Sequence, residues 1–272
     1  MKIKQLFLGL IVTVTVSSYA HAGLVTVWGE ALSEFSLSTV NSFYDGLADH
    51  SSSIATGTLD TVDLSNSNLL WATQPADNYT GAELNAMSNY LLGGGRIAFL
   101  GEHGGFGANQ NNRINTALDF LGSTISINNT ILDASFRSAS VADGQILDHD
   151  LTAGVDFYEY AAFAPLTISG TAEALMLGEE DYLGNPSIMM AFQNIGPGSI
   201  FLITDQNVWD NSPDWGDFDN ARMFENLVEG ETGAPPVDPV DPPTPSIPEP
   251  GTLLLLGLGL AGFGFSQRKI KS

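Results

Sequence analysis

Asn68-Leu69-Leu70-Trp71-Ala72, then Thr80 through Tyr90, then Gly93-Gly94-Gly95-Arg96-Ile97-Ala98-Phe99-Leu100-Gly101 is the stretch whose pattern sets the fold class. Leu69–Ala72 and Ile97–Leu100 are apolar at consecutive positions, as strands are when helices cover both faces of a sheet. Between them Thr80 and Glu83 stand at capping-box spacing. The threonine oxygen takes an orphan helix N–H and the glutamate reaches back to the cap. Leu84, Met87 and Leu91 follow at i, i+3 and i+7 and give the helix one apolar face, and the glycine triplet stops it. Strand, helix and strand in that order predict a parallel pair joined by a right-handed crossover.

The same grammar extends in both directions. Further apolar runs stand at Leu24–Trp28, Ala174–Leu177, Ile188–Phe192 and Ile200–Ile203. Further helices are predicted near Ser38–Ala48, around Ile114–Leu121 with Gly122 as the stop, and from about Phe218 through Val228. Residues 123–170 are less regular, with extra strands expected near Thr124–Ile131 and Leu166–Ile168 and long loops between them. The expectation is one α/β domain over residues 23–230, a three-layer, doubly wound, mostly parallel sheet. It is long enough to bury a sizeable core.

Charge excludes several functions. The chain has 272 residues, 31 acidic and 9 basic side chains, and no cysteine. Lys2, Lys4, Arg268, Lys269 and Lys271 lie in the two ends. Between residues 23 and 249 only Arg96, Arg113, Arg137 and Arg222 face all 31 acids, and lysine is absent. Nucleic-acid binding needs clustered lysine and arginine to neutralise phosphate, so no nucleic-acid partner is expected. The absence of cysteine rules out disulfides, thiolate catalysis and cysteine-ligated metals.

The ends read as targeting signals. Residues 1–22 have a basic start, an apolar core from Leu6 to Val12 and an Ala20-His21-Ala22 cleavage pattern before Gly23, as in a secretory signal peptide. The competing reading, a membrane anchor, is disfavoured by the short apolar run and by Ser17-Ser18. At the other end residues 234–250 hold eight of the 13 prolines, a semi-rigid extended linker centred on 231–246. Pro248-Glu249-Pro250 follows, then an uncharged stretch from Gly251 to Ser266, then Arg268-Lys269-Ile270-Lys271. The apolar stretch predicts a transmembrane helix over 251–266, with the basic tail held on the cytoplasmic side.

Those three C-terminal parts, standing in order over residues 247–272, resemble the PEP-CTERM sorting signal of Gram-negative bacteria that make exopolysaccharide. The resemblance implies an inner-membrane intermediate held by the C-terminal helix, and processing by signal peptidase and by an exosortase, a membrane transpeptidase. The final location would be the cell surface or extracellular matrix.

The segments quoted first resemble a class I glutamine amidotransferase-like (flavodoxin-like) domain. Gly198-Ser199-Ile200-Phe201-Leu202-Ile203-Thr204-Asp205, the helix from Asp219-Asn220 to Leu227 and the loop His149–Val155 fit the same family. That family carries its nucleophilic cysteine on a sharp strand-to-helix elbow, Gly-x-Cys-x-Gly. Here the matching place reads Gly101-Glu102-His103-Gly104-Gly105. With no thiol or hydroxyl there, glutamine hydrolysis lacks its nucleophile. No Gly-x-Ser-x-Gly elbow occurs anywhere in the chain.

Ligands of open α/β sheets bind beyond the carboxyl ends of the strands. Reading off those positions gives a candidate rim of Glu30, Thr73, Gln74, Asp205 and Asn207, with Glu102 and His103 as candidate catalytic groups. The same residues also fit the ordinary polarity of surface loops. The acidic stretch Asp205–Asp219 offers Asp205, Asp210, Asp214, Asp217 and Asp219 as candidate calcium ligands, although its spacing is not that of an EF-hand. Acids before a helix also suit the helix dipole without any metal. Trp209 and Trp215 are candidate platforms for sugar rings. His50 and His149 stand at no metal-ligand spacing and are expected in loops.

Three functions remain open. One is a non-enzymatic binding or structural protein of an exopolysaccharide-rich envelope. Another is a hydrolase, with or without a metal, built on the rim. The last is a sugar-binding module built on the two tryptophans.

Overall fold

The computed structural model describes residues 23–29, 37–210 and 215–229. The expected signal peptide, the Pro-rich linker and the sorting signal with its helix lie outside the described residues.

Among the described residues eleven strands and four helices follow one another. The strands are β1 (Gly23–Trp28), β2 (His50–Ile54), β3 (Leu69–Thr73), β4 (Arg96–Leu100), β5 (Ile125–Ile127), β6 (Arg137–Ser140), β7 (Phe157–Tyr160), β8 (Leu166–Ile168), β9 (Glu173–Tyr182), β10 (Asn185–Ile195) and β11 (Gly198–Ile203). The helices are α1 (Leu37–Asp45), α2 (Gly81–Leu92), α3 (Gly104–Phe120) and α4 (Asn220–Glu229). The main sheet runs β2-β1-β3-β4-β11-β10-β8-β5, with β9 also paired to β10.

The stretch quoted first behaves as expected. β3 and β4 are parallel neighbours in the register Leu69↔Arg96 to Thr73↔Leu100. The helix between them carries the full capping box, with Thr80 accepting from Glu83 N and Glu83 accepting from Thr80 N. Side chains alternate across the strands. Val25, Val27, Leu69, Trp71, Ala98, Leu100, Phe201 and Ile203 pack with residues of α1 and α4. Leu70, Ala72, Ile97, Phe99, Ile200 and Leu202 pack with residues of α2 and α3. Helices on both sides explain why these strands are apolar throughout.

The sheet as a whole is mixed rather than mostly parallel. Parallel pairing runs from β2 through β11, while β10 is antiparallel to β11, β8 and β9, and β5 is antiparallel to β8. The connections enforce this. Leu183 and Gly184 both have positive φ (53° and 77°), the two-residue hairpin geometry that turns β9 directly into β10. A Gly196-Pro197 turn does the same for β10 and β11. A parallel crossover needs a dozen or more residues, so these short links allow only antiparallel pairing.

Within 123–170, β6 and β7 form a separate two-stranded ribbon. Asp133 ties the ribbon to β9. Its carboxylate accepts from Tyr160 Oη at 2.8 Å, Glu179 N at 2.7 Å and Glu180 N at 3.0 Å, and lies 3.6 Å from Arg137 Nε. Arg137 also bonds Glu179.

Two other polar anchors stand inside the core. Arg96 is buried, with Nη1 donating to Leu227 O at 2.5 Å near the end of α4 and Nε donating to Ser199 Oγ at 3.0 Å. Burial lowers its pKa to about 10. A cation beneath the carbonyl end of a helix also satisfies groups the helix cannot satisfy itself. Trp71 Nε1 donates to Tyr44 Oη, which donates to Phe224 O, each at 3.0 Å.

Candidate functional site

β3, β4 and β11 are adjacent and parallel, so their carboxyl ends open on one edge. Gln74 follows β3, Gly101-Glu102-His103 follows β4, and Thr204-Asp205-Gln206 follows β11. Glu102 stands at the centre and is fully buried. Its Oε1 accepts the His103 backbone N–H at 2.7 Å and its Oε2 accepts Gln206 N–H at 3.2 Å. Gln206 Oε1 in turn accepts from Gln74 Nε2 at 2.8 Å. A continuous polar chain therefore joins all three strand ends.

The start of α3 is shaped around this glutamate. Asn111 clamps its backbone from both sides: Asn111 Oδ1 accepts Glu102 N–H at 3.0 Å, and Asn111 Nδ2 donates to Glu102 O at 2.5 Å. Gly107 leaves room for the side chain, since a Cβ there would stand 2.4 Å from Glu102 Cβ. Without that glycine the carboxylate would be pushed off its amide donors.

His103 forms the outer lip. Its Nε2 lies 3.3 Å from Glu102 Oε1. Burial lowers its pKa, which favours the neutral imidazole. In that form Nε2–H faces the carboxylate and Nδ1 is an acceptor. Nδ1 has no hydrogen-bond partner, and neither has the buried Gln74 Oε1. Beside His103 lie two exposed apolar side chains, Phe106 with its ring centroid 6.3 Å away, and Ile131.

The elbow differs from the one expected of a nucleophile. His103 has φ −59° and ψ 149°, ordinary extended backbone, and caps α3 without a side-chain hydrogen bond. A nucleophile elbow is a strained turn that thrusts its side chain outward. Here the backbone is relaxed and the residue before it is the buried one.

The other rim residues separate. Glu30 lies outside the described residues. Thr73 Oγ1 donates to Trp28 O at 3.3 Å. Asp205 is buried, but its Oδ2 accepts Ala161 N–H at 2.7 Å and its Oδ1 accepts Asn207 N–H at 2.9 Å. Those bonds turn it toward the segment before β8. Burial raises its pKa to about 7, against the opposing pull of those amides. Asn207 opens the short turn through Trp209. Gln206, Asn111 and Phe106 complete the arrangement and lie beyond the residues expected from the sequence. Gln206 had a signal, its place between two candidates at the same strand end. Asn111 had none, because a helix interior asparagine reads as a solvated position.

Among the described residues no group of three His, Asp or Glu side chains is placed to hold a metal ion. Of the calcium candidates, Asp214 lies outside the described residues and Asp217 is exposed. Asp210 stands at the end of the Asn207–Trp209 turn. Asp219 Oδ2 accepts Asp156 N–H at 2.9 Å and Phe157 N–H at 3.0 Å, binding α4 to β7. Asn220 continues that grip on Glu159 through two bonds of 2.8 Å.

The sugar-platform expectation is corrected by packing. Trp209 is fully buried, 5.7 Å from Trp71 and 4.3 Å from Phe224, and Trp215 packs on Trp209, Phe43 and Phe224. Both rings serve the core. His149 caps the turn Asp150–Thr152, with Nδ1 accepting Leu151 N–H at 3.0 Å, and Asn226 docks that turn under α4.

Comparison with solved structures places the chain in an α/β fold class. The N-terminal domain of mmIFT52 aligns with TM-score 0.58 and 17% identity, over 77% of this chain and 99% of that one. A ThuA-like protein from Parabacteroides merdae aligns with TM-score 0.53 and 9% identity, over 81% and 93%. A β-galactosidase from a Rahnella species aligns with TM-score 0.51 and 15% identity, over 79% of this chain but 32% of that enzyme. At these identities the likeness is one of fold. No curated protein matches the chain.

The C-terminus is more specific. Residues 246–269 match the PEP-CTERM protein-sorting motif. The chain therefore carries the signal of an exported protein that is processed at the membrane by exosortase-type sorting. Among the described residues no helix is long and apolar enough to cross a membrane. The 251–266 stretch lies outside them.

Proposed function

We propose that the mature protein is a non-enzymatic binding protein of the cell surface or extracellular matrix of a Gram-negative bacterium, retained in an exopolysaccharide-rich envelope. Its body is read as a class I glutamine amidotransferase-like domain without that family's chemistry. The observation that carries this is the strand-to-helix turn after β4. It presents a relaxed His103 and a buried Glu102 where acyl transfer needs a projecting thiol.

The ligand chemistry follows from what the edge lacks. Nδ1 of neutral His103 and Oε1 of Gln74 are both acceptors shielded from solvent and without donors, so a hydroxyl group that reached either would satisfy it. Such an edge disfavours phosphates and carboxylates and suits neutral hydroxyl groups, with exposed Phe106 offering an apolar face to a sugar ring. Mature protein is expected to be retained by immobilised neutral exopolysaccharide and to release no ammonia from glutamine. His103→Ala and Phe106→Ala should each weaken retention several-fold, as loss of one hydrogen bond or one apolar face does. Unchanged retention in both variants would refute the reading.

The contact of His103 with Glu102 favours a second reading, a metal-independent hydrolase with His103 as general base oriented by Glu102. A panel of chromogenic esters and glycosides separates the two. Turnover abolished by His103→Ala would establish catalysis; silence across the panel leaves binding.

A further inference from the structure

β1 opens at Gly23, the residue after Ala20-His21-Ala22. Its backbone nitrogen donates to His50 Nδ1 at 3.1 Å. On the far side of the same imidazole, Nε2 faces Glu229 Oε1 at 3.8 Å, and the His50 side chain is only 4% exposed. Glu229 is the last residue of α4, so the nitrogen also lies near the carbonyl end of a ten-residue helix. The position admits glycine alone. A Cβ would stand 2.5 Å from Val228 Cγ2 and 2.9 Å from His50 Nδ1, and the Val228 branch is buried.

We propose that His50 and Glu229 form a receptor for the α-ammonium group that leader removal creates at Gly23. The inference rests on reading the Ala22–Gly23 bond as the leader cleavage point. Water adds across that peptide bond, giving the Ala22 carboxylate and a Gly23 amine that takes up a proton. One amide N–H becomes three N–H donors bearing a positive charge. That charge meets an imidazole acceptor, a carboxylate behind it and the negative end of α4, all of which favour the cation. His50 thereby receives a donor on Nδ1 and places its Nε2–H toward Glu229. Processing thus strengthens a contact that joins β1, β2 and α4, rather than only freeing the chain.

A second property follows from composition. Residues 23–249 contain no lysine. Once both ends are cut away, the Gly23 nitrogen is the one primary amine left, and it is docked.

The test uses the full chain exported with its own leader. The mature product is sequenced from its N-terminus, then pulsed with an amine-acetylating ester in buffer and in urea, and the modified peptides are read by mass spectrometry. The expected start is Gly23. Its amine should acetylate at least about tenfold more slowly in buffer than in urea, as groups protected by folded structure do. His50→Ala, or Glu229→Gln if the first variant fails to fold, should bring the native rate toward the urea rate. A chain that starts at Gly23 and acetylates equally fast in both solvents overturns the receptor alone. A start at any other residue overturns the cleavage reading and the receptor with it.

Discussion

His103 Nε2 stands 3.3 Å from Oε1 of Glu102, its own neighbour in sequence, while the same oxygen holds the His103 backbone N–H at 2.7 Å. One residue is therefore fixed twice by the one before it, and the fixing atom has no exposure to solvent. The glutamate is the buried, structural member of the pair, and the histidine, partly exposed, is the member that the proposed function assigns to ligand.

The two should respond differently to mutation. Glu102→Ala strands the N–H groups of His103 and Gln206 and should cost about 2–4 kcal/mol. His103→Ala removes a partly exposed ring and should cost less than about 1 kcal/mol. Urea unfolding of both variants checks the ordering. Equal losses would mean that His103 is a core residue.

Asp205 predicts a pH dependence. Its folded carboxyl titrates at about 7, because burial outweighs the backbone donors; an unfolded aspartate titrates near about 3.9. Between those values the native chain keeps a proton that the unfolded chain has lost. The stability this group contributes is full below about pH 4 and is lost as pH rises through about 7, on the order of 1 kcal/mol per pH unit. Asp205→Asn should flatten that slope in urea midpoints measured across the window. His103 works in the opposite sense: its lowered pKa makes acidification costly.

Asp133 should be a sensitive position far from the site. Its carboxylate serves a tyrosine hydroxyl and two backbone amides, all linking the β6–β7 ribbon to β9. Asp133→Ala should lower stability by about 3 kcal/mol. Asp133→Asn should cost less, because asparagine keeps an acceptor and tolerates the positive φ of 49° found here. Differential thermal unfolding of the two variants is the measurement.

Thr80→Ala should cost about 1 kcal/mol by removing the acceptor for Glu83 N–H at the start of α2. Thr80→Ser should restore most of it. Thermal melts distinguish the pair, and the site edge should be unaffected in either variant.

What could be read in the sequence is what local chemistry dictates. The capping box, the glycine stop and the doubly apolar strands β3, β4 and β11 are short-range signals, and all stand where the pattern put them. β2 carries no such signal because His50-Ser51-Ser52-Ser53-Ile54 is an edge strand with one sheet neighbour and no need for an apolar run. The antiparallel half is not legible in apolar runs, which carry no direction. Direction lay in the two short turns between them. The site shows the same division. Gln74, Glu102, His103 and Asp205 all follow strand ends, but whether two carboxylates on one edge face each other depends on side-chain direction. Asp205 turns to Ala161 while Glu102 turns to Gln206. Trp209 and Trp215 are candidate sugar platforms by residue type alone; packing against Phe43 and Phe224 decides otherwise.

Arg96, buried under the end of α4, bears on how the exported protein would withstand peptidases. A peptidase that cuts after lysine or arginine meets four such residues in the body. Arg96 is sealed within the core, Arg113 holds Pro75 O, Arg137 is bound to Asp133 and Glu179, and Arg222 to Glu225 and Glu229. Surface nicking by that class of enzyme therefore finds little purchase, and the lifetime of the folded protein against it is set by how seldom the whole domain opens.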